Sequence, residues 1–438
     1  MLKYLQIAVL ALLTSFYFFP LEFTVLPGVN TKMAMAGFGL VMVGLQLSRK
    51  RNQSLDRGMV TISLFALLVS VTSFISVVLN ETHDYSYVSF IVSMWVWLSG
   101  AYVVVSLMKL AHGKISVEMV CNYLILVCVL QCFSALLIDW IPAFRLWVAN
   151  HISALGPTPI MKLIASEEER LFGLGAALDH GGSRFAAVLV LLAYVGAHIH
   201  RTGQHVRVIT YVLAFLVITV VGNMIARTTI VGVAVAGLYL IYATGLHRLV
   251  IRKSAGQMVA WFIGVLVVAI PVMTWMYYNN EAFREDLRFA FEGFFSLAER
   301  GEWGVSSNER LKSMVVFPDN LKTWIIGDGY FVGTAHDPYY TGKIYSGYYM
   351  DTDIGYLRFI FYSGLIGLGA MVLFMWKAAQ ICAERLSNHG ILFWMILVVN
   401  YIVWLKVSTD LFLLLALFLV IMPSDLSDED KLLQEEES

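Results

Sequence analysis

The fold is decided by stretches such as residues 58–79, which read GMVTISLFALLVSVTSFISVVL and contain no charged side chain. A helix needs about 20 apolar residues to span the hydrocarbon core of a bilayer, and this run is long enough. In lipid a single segment has to be helical, because only a helix pairs its own backbone N–H and C=O groups. The stretch therefore predicts a transmembrane helix.

Similar runs recur along the whole chain. Hydrophobic residues make up 59% of the 438 residues and charged residues 14%, and the mean hydropathy is +0.73. Soluble proteins are closer to half apolar and a quarter charged, so the surplus is expected to face lipid. The composition predicts an all-α polytopic membrane protein with about twelve spans of roughly 20 residues each. The predicted spans are 4–19, 31–48, 58–79, 87–108, 115–140, 182–199, 207–223, 228–245, 256–278, 353–375, 391–406 and 409–422.

Orientation follows from lysine and arginine, which concentrate in the cytoplasmic links of membrane proteins. One set of predicted links is rich in them, whereas the other short links, 20–30 and 80–86, carry acidic residues and neither lysine nor arginine. The basic set is therefore predicted to be cytoplasmic, together with both termini. The basic links contain Arg49, Lys50, Arg51, Arg57, Lys109, Lys114, Arg201, Arg207, Arg248, Arg252, Lys253, Lys377 and Arg385.

This orientation predicts a transmembrane domain over residues 1–423, in an inner membrane, and an acidic cytoplasmic tail over residues 424–438. Two long segments, about 141–181 and 279–352, fall on the outer side, and loops of this length are uncommon unless they are functional. The second lies between the ninth and tenth spans. Its tyrosines either stack on sugar rings or form a belt at the membrane interface, and both interpretations stay open. They are Tyr339, Tyr340, Tyr345, Tyr348 and Tyr349.

Arginines on the outer side are the chemical anomaly, because positive charge is normally depleted there. Arg184, Arg227 and Arg358 lie within a turn or two of a membrane entry, in apolar sequence, and Arg170 and Arg310 lie in the long segments. A charge at membrane depth costs several kcal/mol unless it is paired or hydrated, and is commonly functional. Converging guanidiniums form a site for phosphate or pyrophosphate, since each presents a planar fork to anionic oxygens.

A structural interpretation competes with this one. Arginine at the edge of a membrane also extends to the lipid headgroups, and it can instead form a salt bridge with Asp179, Asp351 or Asp353. For any one arginine the two interpretations are equally good. A shared phosphate site explains the five together better, and a lipid-linked molecule is the expected phosphorylated partner at this face.

Three short motifs resemble those of the bacterial O-antigen polymerase (Wzy-type) and O-antigen ligase superfamily. The first is Ala226-Arg227-Thr228-Thr229-Ile230, which opens a helix. The second is Ser307-Asn308-Glu309-Arg310, followed by Phe317 and by the glycine-rich turn Ile326-Gly327-Asp328-Gly329-Tyr330. The third is Thr352-Asp353-Ile354-Gly355-Tyr356-Leu357-Arg358, ending in Gly364-Leu365-Ile366-Gly367. The predicted topology is also similar, with a large periplasmic loop before the last helices.

The resemblance implies a glycosyltransferase with a GT-C-like architecture that polymerises undecaprenyl-pyrophosphate-linked oligosaccharides of O-antigen, capsule or exopolysaccharide. Arg227 and Arg310 are then expected to stabilise the leaving pyrophosphate, with Arg170, Arg184, Arg358, His336 and Tyr356 as further substrate contacts. Other implied partners are membrane lipids, a chain-length regulator and further polysaccharide-assembly proteins. A net charge of −1 gives no indication of a nucleic-acid partner.

The general base is open between two residues. In the ligases the third motif starts with a histidine, whereas here Asp353 takes that place and the nearest preceding histidine is His336. This departure favours the polymerase branch. A carboxylate beside arginines is a weaker base, so Asp353 either accepts the proton or orients an arginine. Displacement without a covalent intermediate would invert the anomeric centre.

Cofactors and metals are not expected. Asp351-Thr352-Asp353 resembles the metal-binding pair of soluble glycosyltransferases, but nucleotide sugars are absent from the predicted side. Three alternatives to a polymerase remain: a ligase that transfers the glycan to lipid A core, a transporter of lipid-linked saccharide and a structural scaffold. A transporter predicts charges deep in many helices and internal repeats, whereas the sequence has few such charges, namely Lys406 and Asp410, and no inverted repeat.

Overall fold

A computed structural model describes residues 2–49, 56–155, 158–164, 170–201, 205–245 and 253–426, and it is 74% helical. The first helices are α1 Leu2–Phe18, α2 Thr31–Arg49, α3 Arg57–Leu79, α4 Phe90–His112, α5 Val117–Trp140, α6 Pro142–His151, α7 Ile160–Ile164, α8 Leu178–Arg201 and α9 His205–Ile225. They are followed by α10 Thr229–Thr244, α11 Lys253–Asn279, α12 Glu281–Ala290, α13 Glu292–Arg300, α14 Ser306–Ser313, α15 Leu321–Ile325, α16 Gly355–Arg385, α17 Gly390–Val403 and α18 Phe412–Leu419.

Each of the predicted spans coincides with one of these helices. Six of the described helices are long and apolar enough to cross a membrane, namely α3, α4, α5, α8, α9 and α16. The bent pair α11 and α12, which turns by 120°, makes a seventh if it counts as one span. The prediction of a multi-pass helical membrane protein is confirmed. The count of twelve stays a prediction, since α1, α2, α10 and α17 are shorter and α18 has only eight residues.

A small antiparallel sheet departs from the all-α prediction. Its strands are β1 Leu21–Phe23, β2 Ile152–Leu155 and β3 Thr158–Pro159, in the order β1-β2-β3. Strand β2 lies in the long segment 141–181, which thus pairs with the link after α1. Apolar side chains from α5, α6 and the strands pack into one core beneath this sheet, including Ile138, Val148 and Phe172. The segment is therefore ordered along most of its described length.

The chain divides into two compact units. The first contains Met1–Ala34, Val104–Gly304 and Asp425–Asp430, and the second contains Met35–Val103, Val305–Ser424 and Lys431–Ser438. Arg170, Arg184 and Arg227 belong to the first unit. The predicted site residues Arg310, His336, Asp353, Tyr356 and Arg358 all belong to the second.

A break in α16 organises the second unit. Ser363 and Gly364 leave helical geometry, Gly364 with φ 66° and ψ −171°, a region that favours glycine. The carbonyls of Phe361 and Tyr362 are released from the helix and accept the N–H groups of Asp328 (2.6 Å) and Gly329 (3.1 Å). A Cβ at Gly364 would lie 2.1 Å from the Ile325 carbonyl oxygen. The glycine-rich turn of the long loop therefore docks into the break.

Parts of the orientation argument lie outside the described residues. Among the basic residues, Lys50, Arg51, Arg248 and Arg252 fall in ranges that the structure does not describe. The same holds for the predicted acidic tail from residue 427 onward. The orientation of the protein in the membrane stays a prediction.

Candidate functional site

Arg227 lies in the tight junction Ala226–Thr228 between α9 and α10. The junction is held by the Thr229 hydroxyl, which donates to the Gly222 carbonyl at 2.9 Å, and by the Thr228 hydroxyl, which donates to Asp179 Oδ1 at 3.3 Å. The Thr229 hydroxyl satisfies a carbonyl at the end of α9, and the Thr228 hydroxyl ties the junction to Asp179 of α8. The junction presents the Arg227 side chain to α12 and α13.

The Arg227 guanidinium contacts three groups at the boundary of α12 and α13. Its Nε donates to the Phe289 carbonyl at 2.9 Å, and its Nη1 lies 2.7 Å from Glu292 Oε2. Its Cζ lies 4.0 Å from the centroid of the Phe289 ring, a cation–π contact. The side chain is 14% exposed and that of Glu292 is 32% exposed. The pair is thus reachable from solvent.

Arg170 shares the same aromatic ring. Its Cζ lies 4.9 Å from the Phe289 centroid, so two of the predicted arginines meet at one phenylalanine. Carboxylates lie beside these guanidiniums, since Glu292 pairs with Arg227 and Asp179 accepts the Thr228 hydroxyl in the same junction. A phosphate or pyrophosphate group could accept charge-assisted hydrogen bonds from these guanidiniums. Such bonds are stronger than those between neutral groups.

Arg184 has different neighbours in the same unit. It is 8% exposed, on the first turns of α8, and its Cζ lies 5.5 Å from the Phe19 ring and 5.9 Å from the Phe18 ring. These rings lie at the end of α1 and just after it, whereas Arg170 and Arg227 lie against Phe289. The structure therefore groups Arg170 with Arg227 and gives Arg184 a separate, more buried environment.

Arg358 in the second unit is enclosed by protein. Its Cζ lies 3.8 Å from the ring of Phe331 and 3.8 Å from the ring of Tyr348. Its Nη1 donates to Ser408 Oγ at 2.7 Å and its Nη2 to the Phe331 carbonyl at 3.0 Å, and the residue is 6% exposed. The geometry favours the structural interpretation for Arg358, because its two Nη groups donate to protein and aromatic rings flank its charged plane.

Asp84, in the link after α3, holds the loop that covers Arg358. Its Oδ2 accepts the N–H groups of Phe331 (2.7 Å) and Val332 (2.9 Å), and its Oδ1 accepts the Ser86 hydroxyl and N–H. Asn80 and Thr82 donate to the carbonyls of Gly327 and Gly329. The short acidic link is thus an anchor for the long loop.

Asp353 and Arg310 lie on neighbouring elements of this unit. Ile354 and Leu357, at the start of α16, pack into an apolar cluster with Leu311 of α14. Arg310 is exposed on α14, next to Leu311, and Asp353 precedes Ile354 and is partly buried. Asp353 is also close enough to Arg358 to act on it electrostatically. The second and third sequence motifs are therefore brought together by packing.

The remaining predicted residues have the following places. The Tyr356 hydroxyl donates to the Tyr401 carbonyl at 2.9 Å and its ring packs on Trp404, so Tyr356 ties α16 to α17 and the residues that follow it. The side chain of His336 lies outside what the structure describes. Asp351, of the Asp-x-Asp pair, contacts Lys343 Nζ at 3.1 Å. Within the described residues no three metal-ligating side chains come together.

The tyrosine-rich stretch separates into two groups. Tyr330, Tyr340, Tyr345 and Tyr349 pack on one another, with ring centroids 5.3–5.4 Å apart. Burial is the main reason that the pKa values of Tyr330 and Tyr349 are raised. Tyr339 remains 76% exposed. Most of these rings therefore form a core inside the loop, and Tyr339 presents itself to solvent.

Phe289 and Glu292 could not be identified as site residues from the sequence. Their one signal is the amphipathic pattern of residues 281–300, which predicts helices but assigns no partner. Comparison of the chain with protein-family models, with curated proteins and with solved structures finds no match.

Proposed function

We propose that the chain is a glycosyltransferase of the bacterial inner membrane that polymerises undecaprenyl-pyrophosphate-linked oligosaccharide repeat units on the periplasmic side. The supporting observation is the meeting of Arg170 and Arg227 on Phe289. Two guanidiniums that meet in a multi-pass membrane protein suit a ligand with a lipid tail and an anionic pyrophosphate. The resemblance of the three motifs to the polymerase and ligase superfamily supplies the reaction type.

The chemistry needs charge stabilisation and proton removal. The acceptor hydroxyl attacks the anomeric carbon of the donor, the bond to pyrophosphate breaks, and negative charge grows on the leaving oxygen. In this proposal Arg227 and Arg170 stabilise that charge, and preorganised donors of this kind contribute about 2.7–4 kcal/mol each to transition-state stabilisation. Arg310, in the second unit, stays a predicted pyrophosphate contact, and in the proposal attack without a covalent intermediate inverts the anomeric centre.

Glu292 has a definite part in this proposal. In the free protein its carboxylate pairs with Arg227 at 2.7 Å, which neutralises one guanidinium until substrate arrives. A pyrophosphate carries more negative charge than a carboxylate, and it competes with Glu292 for the N–H donors of the Arg227 guanidinium. The Arg227–Glu292 pair is therefore a substrate-exchangeable contact.

The experiment is reconstitution of the purified protein in proteoliposomes with lipid-linked repeat units isolated from the source bacterium after deletion of this chain. Mass spectrometry of the lipid-linked products would show a ladder of longer chains if the proposal holds. A parallel reaction contains lipid A core. Transfer only in that reaction would replace the polymerase by a ligase, and no covalent product in either reaction would contradict a glycosyltransferase altogether.

A further inference from the structure

Helix α13, near the end of the first unit, has an apolar face that the protein leaves exposed. Phe294 is 58% exposed, Leu297 is 49% exposed, and Trp303, just after the helix, is 54% exposed. Phe294 and Leu297 lie three residues apart and therefore on the same side of the helix. The Trp303 ring meets that of Phe294 edge to face, with centroids 5.1 Å apart. Large apolar side chains exposed together indicate a surface that meets an apolar partner.

The other sides of α13 are packed or charged. Gly293 and Ser296 are buried. Glu299, which lies about 200° round the helix from Leu297, pairs with Arg288 of α12 at 2.6 Å. The helix is therefore amphipathic, with an apolar side and a charged side. Helices of this kind lie in the plane of a membrane interface, with the apolar side against the boundary of the acyl chains.

The start of α13 is tied to the end of a membrane helix. Glu292, its first residue, pairs with Arg227 at 2.7 Å. Arg227 comes two positions after Ile225, where α9 ends, and two positions before Thr229, where α10 begins. The helix α9 is long and apolar enough to cross a membrane. Glu292 therefore lies at the level where the chain leaves the membrane at the end of α9.

A second apolar helix of the same unit marks the same level. Helix α11 ends at Asn279, and α12 turns away from it by 120°. The last turns of α11 expose Trp275 by 66% and Tyr278 by 75%, and tryptophan and tyrosine are enriched at the membrane–water interface. Tyr277 stacks on Phe295 of α13, with ring centroids 5.8 Å apart. Helix α13 is thus fixed to the aromatic end of α11 as well as to the end of α9.

We propose that α13 lies in the membrane interface, with Phe294, Leu297 and Trp303 in contact with lipid. The partner is the bilayer surface, because α13 adjoins the ends of two apolar helices that lipid surrounds at that level. The contact with lipid does not depend on which reaction the chain catalyses. In the proposed function, the same contact holds Glu292 and Arg227 at the depth of the headgroups, where the pyrophosphate of a lipid-linked substrate lies.

The test places one nitroxide label at a time in the full-length protein, in nanodiscs of phosphatidylethanolamine and phosphatidylglycerol. Leu297→Cys carries the label on the apolar side of α13, and Glu299→Cys carries it on the charged side as the matched control. The two positions are similarly exposed, Leu297 by 49% and the Glu299 side chain by 46%. The native cysteines are buried, so the unaltered chain should take up little label. Electron paramagnetic resonance measures collisions of the label with oxygen, which concentrates in lipid, and with a nickel chelate, which stays in water.

The ratio of oxygen collisions to chelate collisions should be several-fold higher at position 297 than at position 299. A label at Phe294→Cys should behave like the label at position 297. The same low ratio at positions 297 and 299 would mean that the apolar side meets water. Protection of position 297 from both reagents would mean that protein covers it, such as a second copy of the chain. Either of these two results would overturn the contact with lipid.

Binding measurements separate the lipid contact from the proposed function. The double variant Phe294→Ser, Leu297→Ser should bind undecaprenyl pyrophosphate more weakly and inorganic pyrophosphate unchanged, because only the first is held at a fixed depth in the membrane. If the double variant binds both as the unaltered chain does, α13 does not set the depth of the arginine site, and that part of the proposal is wrong. If the unaltered chain binds neither, the proposed function fails, while the collision ratios still decide whether α13 contacts lipid.

Discussion

Arg227 and Arg358 have similar sequence contexts and different surroundings. Arg227 lies just before the apolar helix α10, and Arg358 lies in the first turn of the apolar helix α16. Arg227 rests on a single ring and pairs with a carboxylate, with 14% of its side chain exposed. Arg358 is flanked by Phe331 and Tyr348, donates to neutral oxygens and is 6% exposed.

The difference teaches how to separate a binding arginine from a structural one. A carboxylate partner is itself an anion, so a phosphate can replace it without leaving buried charge behind. Two rings and neutral acceptors offer no such exchange, because a ligand would have to displace the packing of the long loop. We therefore assign substrate binding to Arg227 and loop anchoring to Arg358.

The largest effect is expected for Arg227→Ala. It should reduce kcat by about 10²–10³-fold, since it removes one donor to the leaving group, and leave unfolding within about 1 kcal/mol of the unaltered protein. The reconstituted polymerisation and a thermal unfolding curve measure the two. Arg284→Ala is the matched control, because Arg284 lies on α12 and its ion pair is with Glu281, one turn away. An equal loss of kcat in both variants would show that Arg227 has no specific role in the transfer.

Arg358→Leu should show the opposite pattern. Loss of two hydrogen bonds from a charged donor and of two cation–π contacts should lower the free energy of unfolding by about 3 kcal/mol. Denaturant unfolding of the protein in detergent measures this, and limited proteolysis of the 327–352 loop reports the release of its anchor. Unchanged stability with a large loss of lipid pyrophosphate binding would make Arg358 a ligand contact after all.

Gly364→Ala tests whether the break in α16 holds the loop over Arg358. The residue has φ 66°, and an added Cβ would lie 2.1 Å from the Ile325 carbonyl oxygen. Strain of this kind costs on the order of 2 kcal/mol, so stability and protease resistance of the loop should both fall. Gly369→Ala is the control within the same helix, because nothing lies within 4 Å of its added Cβ.

Glu292→Gln has the smallest expected effect, and it should strengthen ligand binding where the other substitutions cause a loss. Removing the carboxylate that competes for Arg227 should tighten the binding of undecaprenyl pyrophosphate by about three- to tenfold, with fold stability nearly unchanged. Equilibrium binding in nanodiscs measures the change. Weaker binding would mean that Glu292 orients Arg227 for the ligand and does not compete with it.

The apolar runs predicted the helices because lipid leaves each run one regular structure. Local sequence patterns did not predict the structure where the interacting residues are distant in sequence. The three-residue strand at Leu21–Phe23 pairs with residues 152–155, and a run so short carries no periodicity. The helix break at Gly364 lies within a continuous apolar stretch, where a glycine by itself does not predict a kink.

The sequence predicted which arginines belong to the candidate site, but it did not predict which of them lie together. The anomaly of arginine outside the membrane identified Arg170 and Arg227, yet their common neighbour Phe289 lies 62 residues beyond Arg227. Arg358 looked equivalent in sequence, because the rings that flank it come from the long loop.

The central claim is that the Arg170–Arg227 cluster binds lipid pyrophosphate. The most direct measurement is the Kd of undecaprenyl pyrophosphate for the full-length protein in nanodiscs, for the unaltered chain, Arg227→Ala and Arg284→Ala. We predict that Arg227→Ala weakens binding by at least about tenfold, the loss of one charge-assisted contact, and that Arg284→Ala binds as the unaltered chain does. The same Kd for all three proteins would contradict the account.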